Sequence, residues 1–309
     1  MSKGEIVNWS DMEKLWNYVM SEELKVNMGN IDEHPLLITE GALIPQRNRE
    51  RMAEVFFETY GIQACYFAVQ GVLSLYSSGR TTGVVVNSGE GVTEIVPVYE
   101  GFQVGNGVRR VEVNGRDVSE SLQLLLRKQG VLLSSSAEFE IVREMKEKFS
   151  FVSKDITKEE TEWMNTDYDE KKEKYKLPDG QVIKLGKERY RATELLFNPQ
   201  LIGVESQGIH EVLYNSIQRC DLDLRTKLNQ NVLLSGGVTL TKGFGDRLIN
   251  ESKKLNGKGV KLKIFAPPER KYSVWIGGSI LAGLSTFKKI WVNKKEWEED
   301  PNIVHVRCL

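Results

Sequence analysis

Apolar positions recur along the chain with two periods, and the change from one period to the other marks out its elements. Ser10-Asp-Met-Glu13 has the form of a capping box. Met12, Leu15, Trp16 and Val19 then follow at i, i+3, i+4 and i+7, which predicts one apolar helix face. Residues 35–39 (PLLIT) and 64–68 (ACYFA) are short apolar runs that predict buried strands. Between them Pro45 opens a helix reaching about Tyr60, with Met52, Val55 and Phe56 inward. A helix over residues 70–77 closes at Gly79, and a strand follows over 82–86. Strands alternating with helices predict an α/β sheet with crossover units.

Further on, two β-branched runs flank the tip Asn-Ser-Gly-Glu-Gly at residues 87–91, a hairpin signal. Helices are predicted over 114–130 and 136–149. Charge dominates residues 153–176, which predicts a solvated loop or surface helix. Leu177-Pro-Asp-Gly180 reads as a turn between short strands. Helices follow near 208–219, 222–228 and 243–255, and strands at 231–235 and 260–266. The uncharged stretch 272–287 is too short for a membrane span and reads as a buried helix.

The 309 residues suggest about two domains. Forty-two Lys and Arg stand against 43 Asp and Glu, which argues against a general nucleic-acid binder. Three widely spaced cysteines and three histidines suggest neither a disulfide framework nor a zinc site, and a reducing compartment is the simplest setting. The N-terminal residues contain no apolar signal-peptide core.

Four constellations could carry chemistry. The tip at 87–91 has glycines at i and i+2, which can aim backbone N–H groups at a phosphate; a tight hairpin alone also explains them. Ser235-Gly236-Gly237 lies between a strand and a helix, where glycine admits a close ligand or merely serves the turn. Arg143, Lys146 and Glu147 share one helix face, as solvated polar residues also do. Gln70 stands at the carboxyl end of an apolar strand, where ligands bind in open α/β sheets and where a Gln can orient a water for attack on a phosphoryl group. His210 reads as a structural hydrogen-bonder.

In their order these signals resemble the actin family over the whole chain. The stretches that carry the resemblance include VLSLYSSGRTTGVVV, IVPVYEGF, GRDVSESL, EFEIVREMKEK, YKLPDGQVIKLG, IHEVLYNSI, VLLSGG and APPERKYSVWIGGSILAGLSTF. Within the family, RNRERMAEVFFETY, LQLLLRKQGVLLSSSAEFEIVRE, LTKGFGDRL and TFKKIWVNKKEWEED are most similar to the centractin branch, the actin-related subunit of dynactin. PPERKYSVW and Cys308 are more similar to conventional actin.

The resemblance implies the two-lobed actin/Hsp70/sugar-kinase α/β fold, with ATP or ADP and Mg (or Ca) in the cleft. Residues 1–77 and 273–309 would form a small lobe. Residues 78–113 and 205–272 would form the inner part of the large lobe, and 114–204 its outer subdomain. Gly89, Glu90, Gly91 and Val92 would face the phosphates. Gly115, Lys146 and Glu147 would lie by the ribose and base, and Gly236, Gly237, Val238 and Thr241 would line the opposite wall. Lys271 would close over the adenine, and Gln70 would orient the attacking water.

Where the family has Asp-Ser-Gly-Asp-Gly, this chain has Asn87 and Glu90, and Glu94 replaces a His. The expectations are therefore weakened ATP binding, altered catalysis and an anion beside the phosphates. The resemblance begins at the family's Trp-containing helix, so a first lobe without the first phosphate loop is expected, with an unpaired sheet edge. Tyr76, Gly79, Thr81, Ile276, Ile280, Leu281, Leu284, Thr286 and Ile290 match the family's partner-binding groove, or pack the lobes together. Residues 201–204 match an apolar plug between filament strands, or form a buried turn.

The functional expectation is a cytoplasmic, cytoskeletal filament subunit of the centractin kind. It would join dynactin-type assemblies linked to microtubule motor transport, with actin-family subunits and filament-end capping proteins as partners. The alternatives are a conventional actin-like protein, a catalytically inactive interaction subunit, or a small-molecule phosphotransferase on the same fold.

Overall fold

The computed structural model describes residues 4–165, 172–257 and 260–308. In chain order its elements are α1 (Trp9–Tyr18), β1 (Leu36–Glu40), α2 (Gln46–Glu54), β2 (Ala64–Val69), α3 (Gln70–Ser77), β3 (Gly83–Ser88), β4 (Thr93–Tyr99), β5 (Phe102–Gln103) and β6 (Arg109–Val111). Then come α4 (Gly115–Lys128), α5 (Ser136–Phe149), α6 (Ile156–Asn165), β7 (Glu173–Lys176), β8 (Val182–Leu185), α7 (Glu188–Glu194), α8 (Ile209–Gln218) and α9 (Leu222–Asn229). Last are β9 (Val232–Ser235), α10 (Phe244–Leu255), β10 (Ile264–Phe265), α11 (Ser273–Gly283), β11 (Val292–Asn293), α12 (Lys294–Glu299) and α13 (Ile303–Arg307).

Two sheets organise the chain. The smaller has the order β1-β2-β11, with β1 and β2 parallel and in step from Leu36↔Cys65 to Glu40↔Val69. The larger runs β10-β9-β3-β4-β5, with β6 also on β4. In it β10, β9 and β3 are parallel, and β3 and β4 make the expected antiparallel hairpin. The near-continuous apolar runs of β2, β3 and β9 are what strands covered on both faces require.

One apolar cluster gathers on the larger sheet beneath α4, α5, α8 and α10, around Val84, Leu122, Val142, Leu213 and Phe244. A second surrounds the smaller sheet and joins Phe56, Phe57 and Phe67 to Trp297, Val304 and Cys308 from the other end of the chain. Helix α3 lies between the sheets. Val72 and Leu75 pack with Val85, Val96 and Leu233 of the larger sheet, while Leu73 packs with Ala68, Leu281 and Phe287. On that second side α11 sits directly on α3: a Cβ at Gly277 would stand 1.8 Å from the Leu73 carbonyl oxygen, so only glycine permits the approach.

Several expectations are corrected. Helix α1 is capped by Asn8, whose side-chain oxygen accepts the Asp11 N–H at 3.1 Å, so Ser10–Glu13 is not its capping box. Leu15 points to solvent, while Met12 and Trp16 do pack inward. The helix from Pro45 changes to a π-turn over Val55–Thr59. The strand expected over 260–266 contracts to the two residues of β10. Only one side of α11 is buried, for Trp275 and Ile280 are exposed. The charged stretch is helical over α6 and strand-like in β7, and its residues 166–171 lie outside the described residues. No helix is long and apolar enough to cross a membrane among the described residues.

Candidate functional site

The two sheets direct their strand carboxyl ends toward one cavity. The register Glu40↔Val69 brings the end of β1 beside Gln70, and Asn87↔Ser235 sets the hairpin tip beside Gly236. These groups line a cavity of about 550 Å³ with Gly89, Gly91, Val92, Glu94, Gly237 and Lys271. A second cavity of about 720 Å³ shares Gly237 and Lys271 with it and continues along α5. Its lining includes Glu90, Lys146, Glu147, Val238 and Thr241. Gly115 lines neither cavity but builds the wall between its neighbours, because a Cβ there would meet Glu90 and Val238 at 2.8 Å. The four separate signals of the sequence thus converge on two adjoining spaces.

Local structure holds the tip in place. The Gly89 N–H donates to the Val92 carbonyl at 2.9 Å, closing the turn. The start of α4 then grips the tip from outside, where Gly115 N–H donates to Gly89 O at 3.0 Å and Arg116 N–H to Glu90 O at 2.8 Å. Asn114 and Asp117 form a capping box that fixes α4 for this task. Gly236 has φ +87 and stands so close to Ser88 that a Cβ would lie 2.3 Å from its carbonyl oxygen. Gly91 and Gly237 differ: a Cβ on either would meet nothing within 4 Å, so both present bare backbone to open space.

The charges are mostly compensated. Lys146, buried on α5, donates to Glu90 Oε2 at 2.8 Å and to the Gly115 carbonyl at 2.9 Å. Glu147 accepts from Arg143 at 3.0 Å, and Arg143 also donates to Glu140 at 2.7 Å. The hydrogen bond to Glu140 raises the Arg143 guanidinium above its already high ordinary value, so it stays a cation. Gln70 is not idle either, since its Oε1 accepts from Asn87 Nδ2 at 3.2 Å.

Glu94 lines the smaller cavity beside the hairpin tip, and its charge is compensated. It is buried, pairs with Arg110 at 3.1 Å and accepts the Ala42 N–H at 2.9 Å. The strand register sets Glu94 directly opposite Arg110, so the carboxylate brings its own counter-charge. His210 does not act as the expected structural hydrogen-bonder: it is half-buried beside Phe197, its Nδ1 is buried without a hydrogen-bond partner, and burial lowers its pKa.

Sequence reasoning missed some of the lining. Phe139, Arg116 and Leu240 face the larger cavity; Phe139 could have been found as the next turn of the Arg143–Lys146–Glu147 face. It also missed three fully buried hydroxyls, Ser74, Ser235 and Ser273, whose Oγ atoms lie 2.8–3.4 Å apart where α3, β9 and α11 meet.

Outside the cavities, α11 and α3 border a smaller hollow of about 260 Å³ lined by Tyr76, Leu281, Ile290 and Phe102. Ile280 and Leu284 stand exposed nearby, at 45% and 50%. Leu201 and Ile202 also face solvent, at 59% and 39%, which rules out a buried turn.

Two sheets that share a cleft at their strand ends, joined through α3 and α11, define an α/β protein whose candidate site lies between its two layers. The family model described as Actin matches residues 1–309. An "Actin-like protein" of Neurospora crassa is 54% identical over 308 residues, which cover 99% of this chain and 80% of that relative. The chain belongs to the actin family, and its fold is the actin-like α/β fold.

Proposed function

We propose that the chain is a cytoskeletal subunit of the centractin kind. In this reading it binds ATP or ADP in the two joined cavities and enters dynactin-type assemblies tied to microtubule motor transport in the cytoplasm. One observation carries the reading: the candidate residues other than Gly115, from Gln70 at the start of α3 to Lys271, line two spaces that share Gly237 and Lys271.

The residues present fit a nucleotide. Gly91 and Gly237 leave backbone open where phosphates would lie, and backbone N–H groups at such a turn favour anions. Lys146, anchored by Glu90 and Gly115, would meet the ribose. Among the described residues no three His, Cys, Asp or Glu are grouped to hold a metal. A Mg or Ca ion would therefore be held mainly through phosphate and water, with Glu90 the near carboxylate. Bound there, the ion would supply neutralisation of phosphate charge.

The same reading divides the chain into a small lobe of 1–77 and 273–309 and a large lobe of 78–272 with 114–204 as its outer part. In support, one buried cluster draws on residues from Ile6 to Phe67 and from Val292 to Cys308, another on residues from Val84 to Leu248. Exposed Ile280 and Leu284 favour a groove for filament-end capping partners, and exposed Leu201 and Ile202 favour contacts with other actin-family subunits.

A second reading, an interaction subunit with little catalysis, is favoured by the Asn87–Gln70 hydrogen bond. That contact occupies the amide that would orient water and puts a neutral group where the family pattern has a carboxylate.

Calorimetry with Mg-ATP, followed by electron microscopy of the chain mixed with a full-length actin-family protein, tests the proposal. Saturable nucleotide binding, lost in Gly237→Val, together with incorporation into filaments or at their ends, is the expected result. No binding and no association would refute it.

A further inference from the structure

Three buried serine hydroxyls meet where α3, β9 and α11 join, and the proposed function leaves them without a role. Ser74 on α3, Ser235 at the end of β9 and Ser273 at the start of α11 are 0–2% exposed. Ser235 Oγ lies 2.9 Å from Ser74 Oγ and 2.8 Å from Ser273 Oγ, while Ser74 and Ser273 stand 3.4 Å apart. The outer two also reach main chain. Ser74 Oγ donates to the Gln70 carbonyl at 3.0 Å, and Ser273 Oγ to the Arg270 carbonyl at 3.2 Å.

Those two carbonyls belong to different parts of the candidate site. Gln70 lines the smaller cavity and accepts from Asn87. Arg270 precedes Lys271, which lines both cavities, and its carbonyl also accepts the Gly236 N–H at 2.9 Å.

A hydroxyl has one proton to donate, so three protons serve five contacts. If Ser74 and Ser273 both donate outward, Ser235 can fill only one of its two short contacts. Two buried oxygens then face each other at 2.8 or 2.9 Å with no proton between them, which is costly in a protein interior. Both short contacts are filled when the three hydroxyls donate in series. One series runs from Ser273 through Ser235 and Ser74 to the Gln70 carbonyl. The other runs from Ser74 through Ser235 and Ser273 to the Arg270 carbonyl. Each holds one turn and releases the other.

We infer that Ser235 is a positioning residue whose one proton alternates between Ser74 and Ser273, so that the Gln70 turn and the Arg270–Lys271 turn are held reciprocally. A ligand that binds better to one series shifts the proton and thereby changes the other turn. The coupling is a property of the hydroxyls and does not depend on which ligand the cavities take.

Amide hydrogen exchange of the unliganded chain, resolved by NMR, tests it in Ser74→Ala, Ser273→Ala, Ser235→Ala and the Ser74→Ala/Ser235→Ala double variant. The start of α3 reports one turn, and Gly236 with the first turn of α11 reports the other. Ser74→Ala commits the Ser235 proton to Ser273. Exchange at the Arg270 turn should then slow about two- to fivefold, the worth of one net hydrogen bond averaged over two states, while the start of α3 exchanges faster. Ser273→Ala should do the reverse. In Ser235→Ala both outer hydroxyls donate to main chain, so adding Ser74→Ala should no longer change exchange at the Arg270 turn. A merely structural cluster gives the opposite sign at the far end, because each loss loosens both turns. Faster exchange at both turns, or an unchanged far turn, in Ser74→Ala or Ser273→Ala that far-ultraviolet circular dichroism shows to be folded would overturn the inference. Where an alanine variant does not fold, cysteine at the same position, a weak donor, is read with the same signs.

Discussion

Replacing Lys146 by methionine removes the buried ammonium that joins the hairpin tip to α4 while keeping the length and apolar stem of the side chain. Two contacts are lost, and they differ in worth. The Gly115 carbonyl becomes a buried acceptor without its charged donor, and hydrogen bonds to charged groups contribute about 1.5–3 kcal/mol. The Glu90 carboxylate is 46% exposed, so water replaces much of what the ion pair supplied, and about 0.5 kcal/mol is a fair share. Together they amount to about 2–3.5 kcal/mol of stability.

Glu90→Gln alone should cost under about 1 kcal/mol. A double-mutant cycle between Lys146→Met and Glu90→Gln should return a coupling of about 0.5 kcal/mol that shrinks in high salt. Urea unfolding of the four proteins measures all of this, with the denaturant slope unchanged. The reasoning fails if Lys146→Met is as stable as wild type, or if the coupling equals the full cost of Lys146→Met. The first result would mean that the Ser119 hydroxyl, which already donates to the Gly115 carbonyl at 3.2 Å, satisfies it alone, and the second that Glu90 is the dominant partner despite its exposure.

Other expectations are equally concrete. Arg247 and Glu194 form a buried two-point ion pair at 2.8 and 3.0 Å; Glu194→Ala leaves the guanidinium with Glu251 and the Ser153 carbonyl alone and should lower stability by about 3 kcal/mol, the low end for a broken buried pair, in urea unfolding. Arg191 hydrogen bonds hold the Glu160 carboxyl at about 2, below its ordinary 4.5. Its stabilisation is then complete above about 4.5 and lost as pH falls toward about 2, so Glu160→Gln should flatten the pH dependence of stability across that window. Leu284→Asp, at an exposed position, should leave the circular dichroism unchanged and abolish binding of a filament-end capping protein; retained binding would place the docking surface elsewhere. Leu201→Asp should unfold within about 0.5 kcal/mol of wild type, yet fail to co-sediment with actin-family filaments that wild type joins.

What the sequence disclosed was local. The Arg143–Lys146–Glu147 face, the hairpin tip and the strand-to-glycine turn at Gly236 each lie within a few consecutive residues, where helix period or glycine placement reports them. What it concealed was set by pairing at a distance. Nothing near Glu94 announces that β6 will place Arg110 across from it. The hydroxyls of Ser74, Ser235 and Ser273 come from elements up to 199 residues apart. Phe139 was hidden for another reason, since an aromatic residue at helical spacing reads as core until the structure shows which side of α5 is filled. At α1 the cap fell to Asn8 rather than Ser10, which starts the helix two residues earlier than the Ser10 box implied.

The seat of α11 on α3 carries a consequence of a different kind. At Gly277 the two helices meet main chain to main chain, with no side chain of residue 277 between them. A joint made in this way has no rotamer to lock at its closest point, and the side chains that hold it, Leu73 and Leu281, sit beside that point rather than in it. The approach works as a plain bearing, whose tolerance is set by a single missing methyl group. Alanine at Gly277 would jam it, whereas alanine at Gly278, whose nearest new neighbour would be Leu37 at 3.6 Å, would run freely.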